Sequence, residues 1–210
     1  MKVRIFWRLL GLAAVTVLTT SITATAAPTA ILYVATTGND STGDGSLSNP
    51  WATITHALDN APDGSRILVR PGTYNGRVHL RGSFARGVTI RSEIPYRARL
   101  RHNSTVITCF YGQGITLEGF DIAHTGPGAG ALVIQIQDLI GDPGGDDFVR
   151  RITLRNNVLH DSYNNDILKI NNGAGYITVE GNICTDSGLT CRRHHDRTRF
   201  SYKARRVTIA

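Results

Sequence analysis

Three stretches of the chain can be laid over one another: residues 115–126 (ITLEGFDIAHTG), 152–163 (ITLRNNVLHDSY) and 177–188 (ITVEGNICTDSG). Each alternates apolar and polar positions (Ile115 and Leu117, Ile152 and Leu154, Ile177 and Val179) and is then broken by Gly or Asn. A period of two predicts short strands, and no helical period competes with it there. Val88-Thr89-Ile90 is a shorter fourth copy, so the first residues are 27, 37 and 25 apart. One insertion, residues 139–151, rich in Gly and Asp, explains the long interval. Self-similarity at this period means stacked units. The leucine-rich frame is missing, and a propeller blade would need about 40–45 residues, which leaves a parallel β-helix.

In such a coil Thr89, Thr116, Thr153 and Thr178 form a ladder on one face, and Asn156, Asn157 and Asn182 take left-handed bends between strands. A second strand set, residues 131–137 (ALVIQIQ) and 166–172 (DILKINN), starts 16 and 14 residues after its leaders. Upstream, residues 51–61 place Trp51, Ile54, Leu58 and Ala61 at helical spacing. A short amphipathic helix suits the open first coil of a solenoid.

Composition agrees: of 210 residues, 41% are hydrophobic, 19% charged and 22 are glycine. Neither a disordered tail nor a membrane bundle fits. The net charge of +7 sits at the ends. Residues 1–26 hold three cations and no acid, and residues 192–210 seven cations against Asp196, so the middle is slightly acidic. Charge therefore gives no reason to expect a nucleic-acid partner.

Residues 1–8 are basic, 9–20 are apolar, and Ala24-Thr25-Ala26 fits a small-x-small cleavage site, the pattern of a secretory signal peptide. Twelve apolar residues reach only ~18 Å as a helix against a ~30 Å hydrocarbon core. The expectation is cleavage before Ala27, no later transmembrane segment, and a secreted or periplasmic monomer. Cys109, Cys184 and Cys191 are an odd set for an oxidising compartment. Either Cys184 and Cys191 pair and Cys109 is buried, or all three are small core residues. No zinc spacing occurs.

Residues 33–40, 45–54 (GSLSNPWATI) and 69–74 (VRPGTY) resemble the opening of secreted right-handed parallel β-helix proteins, the pectate-lyase-like group near polysaccharide lyase family nine. The resemblance covers about residues 31–188. It implies 27–62 as N-terminal strand and capping helix and 63–190 as coils of an all-β, right-handed parallel β-helix. Residues 191–210 (CRRHHDRTRFSYKARRVTIA) depart from it. They read as the product of a truncated or frameshifted gene, or as a basic tail for an anionic surface. The first is preferred, because an uncapped coil leaves strand edges open.

Lyases of that group cleave uronic-acid polymers by β-elimination, with a Lys or Arg removing the C5 proton while calcium or cations neutralise the carboxylate. Carried onto this chain, the base is Lys169, the sole lysine between residues 9 and 202. Period-two alternation puts it on one face with Asn171. A solvated surface lysine is the alternative. Oxygen ligands for calcium would be Asp161, Asn165, Asp166 and Asp186, with Asn164 beside them; ordinary Asx turns would explain the same residues. The loop 141–147 is a second acidic stretch, already explained as a turn by its Gly and Pro. Nine arginines between residues 66 and 101 suggest a basic side, with Arg77, Arg81, Asn171 and Asn172 as substrate contacts. Asn39-Asp40-Ser41 and Asn103-Ser104-Thr105 match a glycosylation sequon common by chance.

The expectation is thus a protein that engages an acidic extracellular polysaccharide. It acts either as a calcium-assisted lyase or as a non-catalytic carbohydrate-binding or surface module.

Overall fold

The computed structural model describes residues 30–129, 132–138, 149–163, 166–171, 173–185 and, as strand backbone, 200–203. Residues 1–26, expected to be a signal peptide, lie outside them, as do Cys191 and most of the basic tail. Among the described residues no helix is long and apolar enough to cross a membrane.

The chain is a right-handed parallel β-helix with three faces. It enters through β1 (Ile31–Val34) and α1 (Ile54–Asn60). The coils then run β2 (Arg66–Val69), β3 (Gly72–Asn75), β4 (Val78–Ser92), β5 (Ala98–His102), β6 (Ile107–Glu118), β7 (Asp121–His124), β8 (Ile134–Gln137) and β9 (Arg150–Arg155). They continue as β10 (Val158–His160), β11 (Leu168–Asn171), β12 (Ile177–Glu180), β13 (Ile183–Thr185) and β14 (Phe200–Lys203). The first face stacks β1, β2, the end of β4, the end of β6, β9, β12 and β14, and the second stacks β3, β5, β7, β10 and β13. A third face is made by the beginnings of β4 and β6 with β8 and β11. Every ladder is parallel, so each strand pairs with its counterpart one turn on.

The repeat is the ladder. Ile115 pairs with Val88 and with Ile152, and the match of Thr153 to Thr178 sets Ile177 on Ile152. All four apolar side chains are buried. Thr89, Thr116, Thr153 and Thr178 are successive partners on the outer side, as the spacing predicts. Two positions beyond them runs a column that alternates in sign: Arg91, Glu118, Arg155, Glu180. Within it Arg155 Nη2 donates to Glu118 Oε2 at 2.9 Å. Arg150 and Arg151, read from sequence as the end of an insertion, already belong to β9.

Two columns of left-handed residues turn the corners. Gly87, Gly114, Arg151 and Tyr176 each precede the first inward residue of a first-face strand, with φ of 88°, 69°, 54° and 55°. Gly119, Asn156 and Gly181 do the same before the second face, at 78°, 53° and 63°. Asn156 thus matches its expected role, but Asn157 and Asn182 do not. They follow the left-handed residue and point inward, fully or almost fully buried. Asn157 Oδ1 accepts from Phe120 N, its Nδ2 donates to Leu117 O, and Asn182 Oδ1 accepts from both Asn157 nitrogens. Asn182 Nδ2 donates to Leu154 O at 2.8 Å. The amides satisfy backbone groups that the corner withdraws from the sheets, a need that buried polar groups impose.

Arg151 and Tyr176 hold a conformation that costs an L-residue roughly 1–2 kcal/mol. Arg151 is compensated by bonds to Ala85 O and Phe84 O. Tyr176 is half exposed, and among the described residues the guanidinium of Arg150 lies 5.6 Å from its ring. Tyr176→Gly is therefore expected to leave stability unchanged or raise it by up to about 1 kcal/mol, despite losing a large side chain. Urea unfolding measures this.

The segment that supplied the family resemblance closes the N-terminal end. Tyr33 N donates to Gly45 O, Trp51 N to Tyr33 O and Ala35 N to Trp51 O, so residues 45–51 cover the free edge of β1. The Asp40 carboxylate accepts from Ala52 N, Thr53 N and Thr53 Oγ1. Burial raises its pKa, yet the bonds from Thr53 and Ala52 outweigh this and hold the group below the ordinary range. The helix is shorter than the sequence pattern suggested: Trp51 bridges to Val34 as a strand residue, Thr53 is the N-cap, and Ile54, Ala57 and Leu58 are buried. A bonded Trp51 backbone leaves no N-terminal turn for a longer helix.

Candidate functional site

Lys169 lies on the third face. The alternation of β11 buries Leu168 and turns Lys169 and Asn171 outward, half-buried. Register extends that position into a row: Lys169 beside Gln135, Gln135 beside Thr108, Thr108 beside His79. At about 4.8 Å per strand the row spans roughly 14 Å along the coil axis. Asn171 stands beside Gln137, and Gln135 Nε2 donates to Gln137 Oε1 at 2.9 Å. At the other end Arg81 neighbours the half-exposed Tyr111. The strand starts at residues 131 and 166 suggest a pairing offset of 35, whereas Leu168 pairs with Ile134, one residue less. A one-residue slip would reverse every side chain, and the buried Ile134 and Ile136 decide the register.

The row is polar and weakly charged. Thr108 Oγ1 and His79 Nδ1 are 3.0 Å apart. Burial, then Arg77 and Arg81, depress the His79 pKa, so near neutrality its ring is uncharged and can donate or accept. The Lys169 ammonium makes no ion pair with a described residue.

The other expected contacts are dispersed. Arg81 is engaged by Asp59 of α1 through both carboxylate oxygens, with Nε 2.6 Å from Oδ1. Arg77 donates to Thr105 O and Ser104 Oγ. The nine arginines do not make one basic side: Arg66 and Arg91 are on the first face, Arg99 and Arg101 on the second, Arg77 and Arg81 at the start of the third. Strands of three faces interleave within that stretch, so closeness in sequence separates them in space. Asn172 lies outside the described residues.

Of the expected calcium ligands, Asp161 follows β10 on the second face and Asp166 precedes β11 on the third. Asp161 Oδ2 is 2.9 Å from His160 Nδ1, and His160 Nε2 is 2.8 Å from Asp121 Oδ1, which also meets Arg101 Nη2 at 2.5 Å. Asp161 is thus drawn into a charge network on the second face. Among the described residues, no three of His, Cys, Asp or Glu are grouped to hold a metal. Asn165 and Asp186 lie outside those residues, as does the loop 141–147. Cys109 is a buried core residue whose thiol burial pushes up to about 12.

Sequence reasoning missed His79, Thr108, Gln135 and Gln137. The alternation in residues 134–137 would have found the two glutamines. Nothing local singles out His79 or Thr108, because only coil register puts them in line with Lys169.

No curated protein matches the chain. A solved structure titled rhamnogalacturonan lyase is similar at 16% identity and a TM-score of 0.49, over 76% of this chain and 42% of that one. This chain therefore spans less than half the length of that protein. Residues 36–81, which form the cap and the first coil, match the family described as a protein of unknown function, DUF1565.

Proposed function

We propose that this chain is an extracellular protein that binds an acidic polysaccharide along the third face, with Lys169, Gln135 and His79 as its main contacts and the buried Thr108 orienting the His79 ring. The row itself supports this reading: Lys169, Gln135 and His79 reach solvent along it while Thr108 is buried beneath and bonded to His79, and a line of hydrogen-bonding groups with one cation free of ion pairs to described residues suits a linear polymer of hydroxyls and carboxylates. Asn171 widens the contact on one flank, Asn172 remains an expected contact outside the described residues, and Arg77 and Arg81 stand at the far end. Lyase activity is the second reading. In it Lys169 as the free amine removes the C5 proton, C4=C5 forms as the C4–O bond breaks, the departing oxygen takes a proton from water or from the Lys169 ammonium so produced, and an unsaturated uronate remains.

One experiment separates the two. Pectate, alginate and glycosaminoglycans are incubated with the protein and with its Lys169→Ala variant, following both affinity and the ultraviolet absorbance of unsaturated product. Binding alone predicts no absorbance and an affinity about tenfold lower for the variant, since a charge-assisted contact is lost. A base predicts absorbance that the variant abolishes at nearly unchanged affinity. No binding to any of these polymers overturns both.

Calcium, held by Asp161, Asn165, Asp166 and Asp186, belongs to this proposal as a separate part. The expected result is weaker polymer binding after chelation, reversed by added calcium. Identical affinity with and without chelator removes the metal and leaves the row.

A further inference from the structure

A second polar feature adjoins the row. Between α1 and the edge strand β3 lies a cleft of about 190 Å³ lined by Thr53, Thr55, Thr73, Asn75 and Arg77 among others. It meets the row at one residue: Thr55 Oγ1 accepts from the backbone N–H of His79 at 3.0 Å. At its His79 end the row runs into α1, which Asp59 and Arg81 fasten to β4.

We propose that this cleft receives the terminal uronate unit of a polysaccharide lying along the third face, so that the protein recognises chain ends. The proposal rests on the reading of the row given above. Three properties of the cleft support it. Its volume falls below the roughly 300–1,000 Å³ of sites for drug-sized ligands, which suits one ring and not a polymer segment. Its donors and acceptors are available: Thr55 keeps its hydroxyl proton, and Thr73 and Asn75 have exposed side chains with no protein partner among the described residues. Lastly, no acidic residue is among those lining it and Arg77 is the one charged residue that is, its Nε and Nη2 bonded to Thr105 O and Ser104 Oγ one coil on and its Nη1 bonded to no described residue. Ring hydroxyls and a single carboxylate match that set of donors and acceptors.

The test uses the full chain and two double variants, Thr73→Val/Asn75→Ala in the cleft and Gln135→Ala/Lys169→Ala in the row. Galacturonate, glucuronate and neutral galactose are titrated by NMR, and an oligogalacturonate by calorimetry. The uronates are expected to shift the amide signals of Thr73 and Asn75, with galactose about tenfold weaker for want of the charge-assisted bond. The cleft variant should lose the uronate shifts and weaken the oligogalacturonate by about tenfold. Equal binding of galactose, or an oligogalacturonate affinity untouched by the cleft variant but lowered by the row variant, overturns the end subsite and leaves the row standing. An affinity that neither variant changes overturns the row reading together with it.

Discussion

Asn157→Ala is expected to lower the unfolding free energy by about 3–5 kcal/mol, as two buried backbone groups, Phe120 N and Leu117 O, lose their partners at roughly 1–3 kcal/mol each and Asn182 loses one of its two donors. That is a large share of the 5–15 kcal/mol available to a typical domain. The control is next door. Asn156 is exposed with φ of 53°, so Asn156→Gly should stay within about 1 kcal/mol of the parent. Urea unfolding of both variants, followed by circular dichroism, checks the contrast; equal effects would mean that the inner amides do not support the corner.

The second large effect is expected at Gly114. It turns β6 from the third face into the first with φ of 69°, and a Cβ there would sit 2.1 Å from Phe84 O. Gly114→Ala would combine left-handed strain with a clash against backbone that cannot rotate away. The expected loss is about 2–5 kcal/mol, seen as a lower urea midpoint at an unchanged slope. Gly76→Ala is the comparison, because a Cβ there meets nothing within 4 Å. Its φ of 115° lies farther from the left-handed region than that of Gly114, so a larger loss at Gly114 is assigned to the contact.

These corners mark the limit of what the sequence revealed. Ile115, Ile152 and Ile177 announced the coil because a ladder needs the same residue at the same place each turn. The corners use Gly, Gly, Arg and Tyr in one column and Gly, Asn, Gly in the other, so no residue type identified them, and Asn157 and Asn182 were assigned the conformation of their neighbours. The site was legible only in part. Lys169 stood out as a lone lysine on an alternating strand, and its outward direction followed from Leu168 and Ile170. Its companions did not, because His79 and Thr108 are 90 and 61 positions away in a chain whose intervals vary. A contact between coils depends on the sum of those intervals, and an error of one residue anywhere selects the opposite face.

The alternating column on the first face bears on how such a chain avoids assembling in the wrong order. The isoleucine and threonine ladders are nearly identical from turn to turn, so they would accept a strand that skipped a coil. The charges would not. Passing over β9 would set Glu180 against Glu118, and passing over β6 would set Arg155 against Arg91, like charges in direct opposition at a cost of about 0.2–1 kcal/mol each. Correct succession restores an opposite sign at every step, so in a repeat whose turns are otherwise interchangeable, Arg91, Glu118, Arg155 and Glu180 distinguish odd coils from even ones.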